Sequence, residues 1–318
     1  MDVIVVCHTE FGYVHNKMVI YDKRAIDGVR KGVKNLIKIS KKYGVKVTFV
    51  VMPEVVEYFP KDITCEIGLH VHPGWVKVKH GSFSWYVGDK YLKEHVETSV
   101  NSTVLRDYPF KEQLELIETG RDYLRDTIKV EPKVFVAGRW SENNDTIKAL
   151  IKAGFTHDCS PPASQKAIHF DWSKLPRICM PYHPSEKDYQ EKGNLPLLII
   201  PISQFFPAGN VNPEVAPLVG LSWLKACFLE YYQQNCPLFH ICLHSPSMTD
   251  PYFISVMDKL LSFISKYEVN FKFASQIHYY GEINARTYIF PYLKHINKNI
   301  IKILLRRILN FTFPEVEK

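Results

Sequence analysis

Val3-Ile4-Val5-Val6-Cys7-His8-Thr9-Glu10 opens the chain with an apolar run that ends in an imidazole and a carboxylate. A short β-branched run reads as a buried strand. Residues 24–43 follow, with Val29, Val33, Leu36 and Ile37 at helical spacing and Gly44 as a stop signal. Residues 45–51 are β-branched again, so the first fifty residues spell strand, helix, strand. The order then repeats. Strands are expected at 64–72, 133–137, 155–160, 195–203, 238–244 and 270–274. Helices are expected at 111–128, up to Ala153 from a cap at Ser141 or Asn143, at 221–234, and from Asp250-Pro251 to Tyr267. Repeated β-then-α order implies parallel strands with helices outside, hence a barrel or a doubly wound sheet.

In such folds functional groups gather at the carboxyl ends of the strands. Those ends carry His8 and Glu10, His70 and His72, Arg139, Asp158 and His244, while each strand body is largely apolar. Residues i and i+2 on a strand share a face, so His70 and His72 can aim at one ion. Glu10 can supply an oxygen ligand if its strand lies beside or nearly beside theirs. Two imidazoles and a carboxylate suit zinc, cobalt, nickel or iron, and three ligands leave open positions for water and substrate. His244 has the chemistry of a general acid for a leaving amine. Arg139 suits a carboxylate or substrate clamp, and Asp158 an orienting hydrogen bond. The bland alternatives are strand-end or rim residues satisfied locally. Residues 73–107 and 161–194 are long insertions after strands, of the kind that wall a site.

The 318 residues, 46% hydrophobic and 23% charged, describe a globular chain with ample core. Seven cysteines are scattered without a Cys-x-x-Cys pair, which suggests free thiols and a cytoplasmic address. No basic leader with a cleavage site and no apolar stretch of roughly 18 residues is present, so neither a signal peptide nor a span is expected. Net charge is +7, and from Arg286 to Arg307 there are basic residues but no acidic ones. Lys294, Lys298, Lys302 and Arg306 recur every four residues and form one stripe, with Ile300, Ile301, Leu304, Leu305 and Ile308 largely on the other side. A basic amphipathic helix over 294–309 suits peripheral contact with an anionic membrane; a helix docked on the barrel is the plainer reading. The expected division is a barrel over 1–283 and this helical tail over 284–318. No nucleic-acid recognition motif is visible, and no nucleic-acid partner is expected.

The motifs, in order, resemble the polysaccharide deacetylase (NodB-homology, carbohydrate esterase) family, particularly its divergent branch encoded with surface-polysaccharide biosynthesis. Residues 7–10 (Cys-His-Thr-Glu) stand at the place of its first motif. Residues 66–73 (Glu-Ile-Gly-Leu-His-Val-His-Pro) are similar to its histidine motif. Residues 135–146 resemble its third, and 243–245 (Leu-His-Ser) its last. The resemblance covers about residues 3–280. It implies a distorted (β/α) barrel of the polysaccharide-deacetylase type, with long insertions after strands. It also implies a divalent metal, zinc by preference, on Glu10, His70 and His72, and removal of N-acetyl groups from a sugar or glycan. His8 stands where the family has an aspartate base, and Val136 where it has that aspartate's arginine. His8 is then the base, a fourth ligand, or the mark of lost hydrolysis. The competing functions are a catalytically inactive homologue that binds carbohydrate and another metal-dependent barrel hydrolase, amidohydrolase or phosphoesterase. Trp75, Phe83, Trp85, Tyr86 and Tyr91 in the first insertion suit sugar stacking or core covering.

Overall fold

The computed structural model describes residues 1–308 except Lys23, Arg24, Ile63, Gly81, Ser82 and Glu282; the side chains of 78–86 and 306–308 also fall outside it. The expectations on Phe83, Trp85, Tyr86, Arg306 and everything beyond 308 therefore lie outside the described residues.

Eight parallel strands form the main sheet: β1 (Asp2–Thr9), β2 (Val47–Val51), β3 (Glu66–Val71), β4 (Val134–Ala137), β5 (His157–Asp158), β6 (Leu198–Ile199), β7 (Leu238–His244) and β8 (Asn270–Phe271). Their spatial order is β6-β5-β4-β3-β2-β1-β7, with β8 paired to the start of β1. The two edges meet without regular pairing: Ser203 N–H donates to His240 O (3.1 Å), and Cys242 N–H to Val211 O (3.1 Å). This stitched seam curls the sheet into the distorted barrel expected from the sequence.

Alternation along the strands sorts the core into two parts. Ile4, Val6, Val50, Val134, Val136, Leu198 and Leu238 fill the interior. Val3, Val5, Cys7, Phe49, Val51, Leu69, Phe135 and Leu243 face the surrounding helices. Those helices are α1 (Asp27–Tyr43), α2 (Phe110–Ile128), α3 (Asn144–Lys152), α4 (Leu221–Gln233), α5 (Pro251–Ile264) and α6 (Lys298–Ile308). The end signals hold locally. Gly44 takes φ 67° as the C-cap of α1; Asn143, not Ser141, caps α3 in a capping box with Thr146; Asp250 caps α5 with Pro251 behind it.

Strands β5 and β6 are only two residues long, against six and nine expected. Pro196 and Pro201 lack the N–H that a ladder needs, which confines β6 to Leu198–Ile199. The first insertion contains the hairpin Trp75–His80/Phe83–Gly88, and Tyr91 beyond it stacks on Tyr123 of α2 at 3.9 Å, in the core-covering role. The segment after 284 packs on the barrel. Tyr292 is buried, and its hydroxyl donates to Glu230 of α4 (2.7 Å), itself paired with Arg177.

Candidate metal centre

Strand alternation delivers the site. On β1 the interior positions run Ile4, Val6, His8, and Glu10 follows one step beyond the strand. On β3 they run Gly68, His70, then His72 just past its end. On β7 they run Leu238, His240, Cys242, His244. His8 registers directly with His244 across β1 and β7. Strands β1 and β3 are separated by β2, whose interior residue at this level is Val50. Glu10 is fixed where it leaves the strand: its N–H donates to Ser245 Oγ (3.2 Å), and that hydroxyl donates to Glu10 O (3.3 Å). Gly138, just after β4, gives His72 its room, because a Cβ there would stand 2.5 Å from the ring.

Glu10 and His70 are almost fully buried, and the His72 side chain is 13% exposed. His70 Nε2 lies 2.8 Å and His72 Nε2 3.6 Å from the same oxygen, Glu10 Oε1. His70 Nδ1 is 2.9 Å from Val136 O. A carbonyl only accepts, so Nδ1 carries hydrogen, and Nε2 is the nitrogen left to face Glu10 Oε1. An imidazole nitrogen and a carboxylate oxygen at that distance need a proton or a cation between them. Ligand atoms around a tetrahedral ion with bonds of about 2.0–2.2 Å sit roughly 3.4 Å apart, and 2.8 and 3.6 Å bracket that value. The Nδ1–carbonyl bond is also the outer support that metal-binding histidines commonly have. The donor set fits a divalent transition metal.

His8 and His244 complete the wall. The His8 ring lies 4.8 Å from that of His70 and 4.9 Å from that of His244, and its Nε2 is buried without a partner. Burial, together with the His70 and His244 charges, pulls the His8 pKa well below the usual imidazole value, against Glu10. His8 is therefore neutral at pH 7. Burial also lowers His72, with the Glu10 hydrogen bond opposing. Burial alone would raise the Glu10 carboxyl, but its bonds to His70 and His72 win and hold it well below the carboxylate range. His244 goes the other way. Burial disfavours its charge, yet Glu214 overcomes that and raises the pKa.

Glu214 was not legible as a site residue. It sits in the turn Pro213–Val215, capped by Asn212, where the sequence reads only as a helix start. Its Oε1 accepts the His244 backbone N–H at 2.9 Å and lies 3.6 Å from His244 Nδ1. Tyr21 is the second omission. It follows the hairpin Tyr13–His15/Met18–Ile20 and meets the His244 ring at 6.0 Å.

Of the expected residues, Arg139 reaches the rim. It sits with Trp140 in a left-handed turn (φ 54° and 52°), hydrogen-bonds His169 Nε2 at 2.6 Å, and its charge adds to the lowering of His72. Asp158 is not part of the cluster. It lies fully buried with Ser160 Oγ at 2.5 Å, and that hydroxyl is also 2.7 Å from Glu142 Oε1. Ser160 in turn accepts the N–H of Ala137 at the end of β4 (2.8 Å), so Asp158 orients a strand end. A second ligand-like group, His8, Glu10 and His244, shares Glu10 with the first.

No protein-family profile matches the chain, and no curated protein matches its sequence. Solved structures do. A Pseudomonas aeruginosa PAO1 protein assigned as a polysaccharide deacetylase superposes with a TM-score of 0.55 at 13% identity, covering 86% of this chain and 88% of its own. A Mycobacterium smegmatis protein of the same assignment gives 0.51 at 17%, covering 85% and 88%. The allantoinase Puue gives 0.54 at 15%, covering 86% and 88%. At these identities the likeness concerns architecture, and it agrees with the resemblance read from the motifs: the chain has the distorted (β/α) barrel fold of the polysaccharide deacetylases.

Proposed function

We propose that this protein is a metal-dependent hydrolase that removes N-acetyl groups from a sugar intermediate or glycan precursor. The observation that carries the reading is the convergence of His70 Nε2 and His72 Nε2 on Glu10 Oε1 at the mouth of a deacetylase-type barrel. Glu10, His70 and His72 would hold the ion, zinc by preference. Such an ion supplies Lewis acidity toward an amide carbonyl and makes water more acidic. His8 accepts the proton of the attacking water, because burial keeps its ring neutral. Glu214 favours the protonated form of His244, and His244 gives that proton to the leaving nitrogen. Arg139 at the rim positions the sugar. The likeness to deacetylases supports this substrate class, while a cytoplasmic address rests on the scattered cysteines and a role in surface-polysaccharide biosynthesis on the motif resemblance.

Acetate release from a panel of N-acetylated nucleotide sugars and glycans tests the reaction. Release should require added metal and stop on chelation; a metal-loaded protein silent across the panel would overturn it. The His8, Glu10, His244 group supports a second reading, in which His8 and His244 are ligands and neither moves a proton. Under that reading, His8→Ala weakens metal binding as well as turnover.

A further inference from the structure

We propose that the C-terminal segment is a docking surface for an anionic lipid membrane. Among the described residues, seven of the fourteen exposed large hydrophobic side chains fall between Tyr288 and Leu305. Single exposed apolar residues need no explanation; half of them in one short segment do. Phe290 is the most open at 67%, and Leu293, Ile296, Ile301 and Leu305 are each about half exposed.

This surface is presented on a firm base. Tyr292 and Ile300 are buried, and Tyr288 N–H donates to Glu230 Oε1 (2.8 Å). Asn297 Oδ1 caps the start of α6, and Asn299 Nδ2 donates to Leu218 O (3.1 Å). At 100° per residue, Lys298, Ile301, Lys302 and Leu305 fall within an arc of roughly 100°, and the buried Ile300 and Ile303 lie on the far side. The sequence pattern places the apolar residues largely on the side opposite the basic row. In the fold the apolar set divides: one part seats the helix, and the other stands outward beside the basic row.

An outward face of alternating lysine and large aliphatic side chains suits the lipid interface, where the chains enter the acyl boundary and the ammonium groups meet phosphates. Charge complementarity selects lipid over a second copy of the chain. Between residues 283 and 314 there is no acidic residue, so two such faces would repel each other. The inference does not depend on the proposed reaction.

Co-sedimentation of the full chain with phosphatidylcholine vesicles, with and without phosphatidylglycerol, tests it. Binding should require phosphatidylglycerol and weaken with salt. Lys294→Glu/Lys298→Glu/Lys302→Glu and, separately, Phe290→Ser/Leu293→Ser should each reduce binding by about tenfold or more, with circular dichroism unchanged. Equal recovery in the supernatant with both vesicle types would overturn the proposal. So would a concentration-dependent dimer that Phe290→Ser/Leu293→Ser dissolves, because the face would then belong to a second copy.

Discussion

Buried carboxylates gather at two places in this barrel, after β1 and around the ends of β4 and β5, and meet opposite fates. Glu10 stays ionised, whereas Asp158 and Glu142 share protons. Burial is nearly complete for all three, so burial does not separate them. Their partners do. Glu10 faces two imidazoles able to carry hydrogen or share a cation. Asp158 accepts the Ser160 N–H (3.0 Å), but beyond that Asp158 and Glu142 face each other and one hydroxyl, Ser160, which has a single hydrogen to offer and already accepts from Ala137 N–H. One carboxyl must therefore be protonated to complete the set. Accordingly, burial pushes Asp158 up to about 7, and burial with the Asp158 charge raises Glu142 well above its usual value. An unpaired buried carboxylate costs several kcal/mol, and a proton is the cheapest relief where no cation is at hand. A polar strand end thus marks a functional site only when its partners leave an electron pair unused.

The largest expected difference is in turnover. Glu10→Gln should lower acetate release by at least about 10³-fold, since it removes a metal ligand and with it several kcal/mol of charge stabilisation. Glu142→Gln should stay within about threefold. Comparable losses would erase the distinction between the two groups. His8→Ala sharpens it from within the cluster: kcat should fall by about 10²–10⁴-fold while metal content holds.

Glu214→Gln is a smaller perturbation. Glu214 raises the His244 pKa, so without its charge the alkaline limb of the pH–rate profile should move to lower pH, with roughly tenfold loss above neutrality. An unmoved limb would remove Glu214 from the positioning role.

How much of this was readable follows from which forces act locally. Strands β1 and β7 were visible because apolar runs flank their terminal histidines, and β7 spans the expected residues. The His70/His72 pair was visible because i, i+2 geometry acts within one strand, whereas its meeting with Glu10, two strands away, depends on the order of the sheet. Glu214 was not, since nothing in Asn212-Pro213-Glu214 distinguishes a capped turn from a turn beneath a histidine. The hairpin before Tyr21 was missed because its turn, Asn16-Lys17, takes φ of 48° and 61° without the glycine that usually signals such a turn. Asp158 was singled out for its strand end alone, and its partners Glu142 and Ser160 gather only in the fold.

The smallest effect concerns stability. Asp158 has a folded pKa of about 7 against about 3.9 unfolded, so its contribution is fully present below pH 4 and is lost as pH rises through 7. Buried histidines such as His8 and His72 slope the other way, so the effect is read as the difference between wild type and variant in chemical denaturation at pH 5 and pH 8. Asp158→Asn should remove the Asp158 part of the slope and gain on the order of 1 kcal/mol or more over wild type between pH 5 and pH 8. A difference equal at both pH values would mean that the pair holds no proton.

The central claim, that Glu10, His70 and His72 form one metal site, is tested most directly by elemental analysis of purified protein. Wild type, metal-loaded and desalted, should carry about one transition-metal ion per chain, and His70→Ala/His72→Ala should carry almost none while remaining folded. A wild type that keeps no ion, or a double variant that keeps as much as the wild type, would contradict the account.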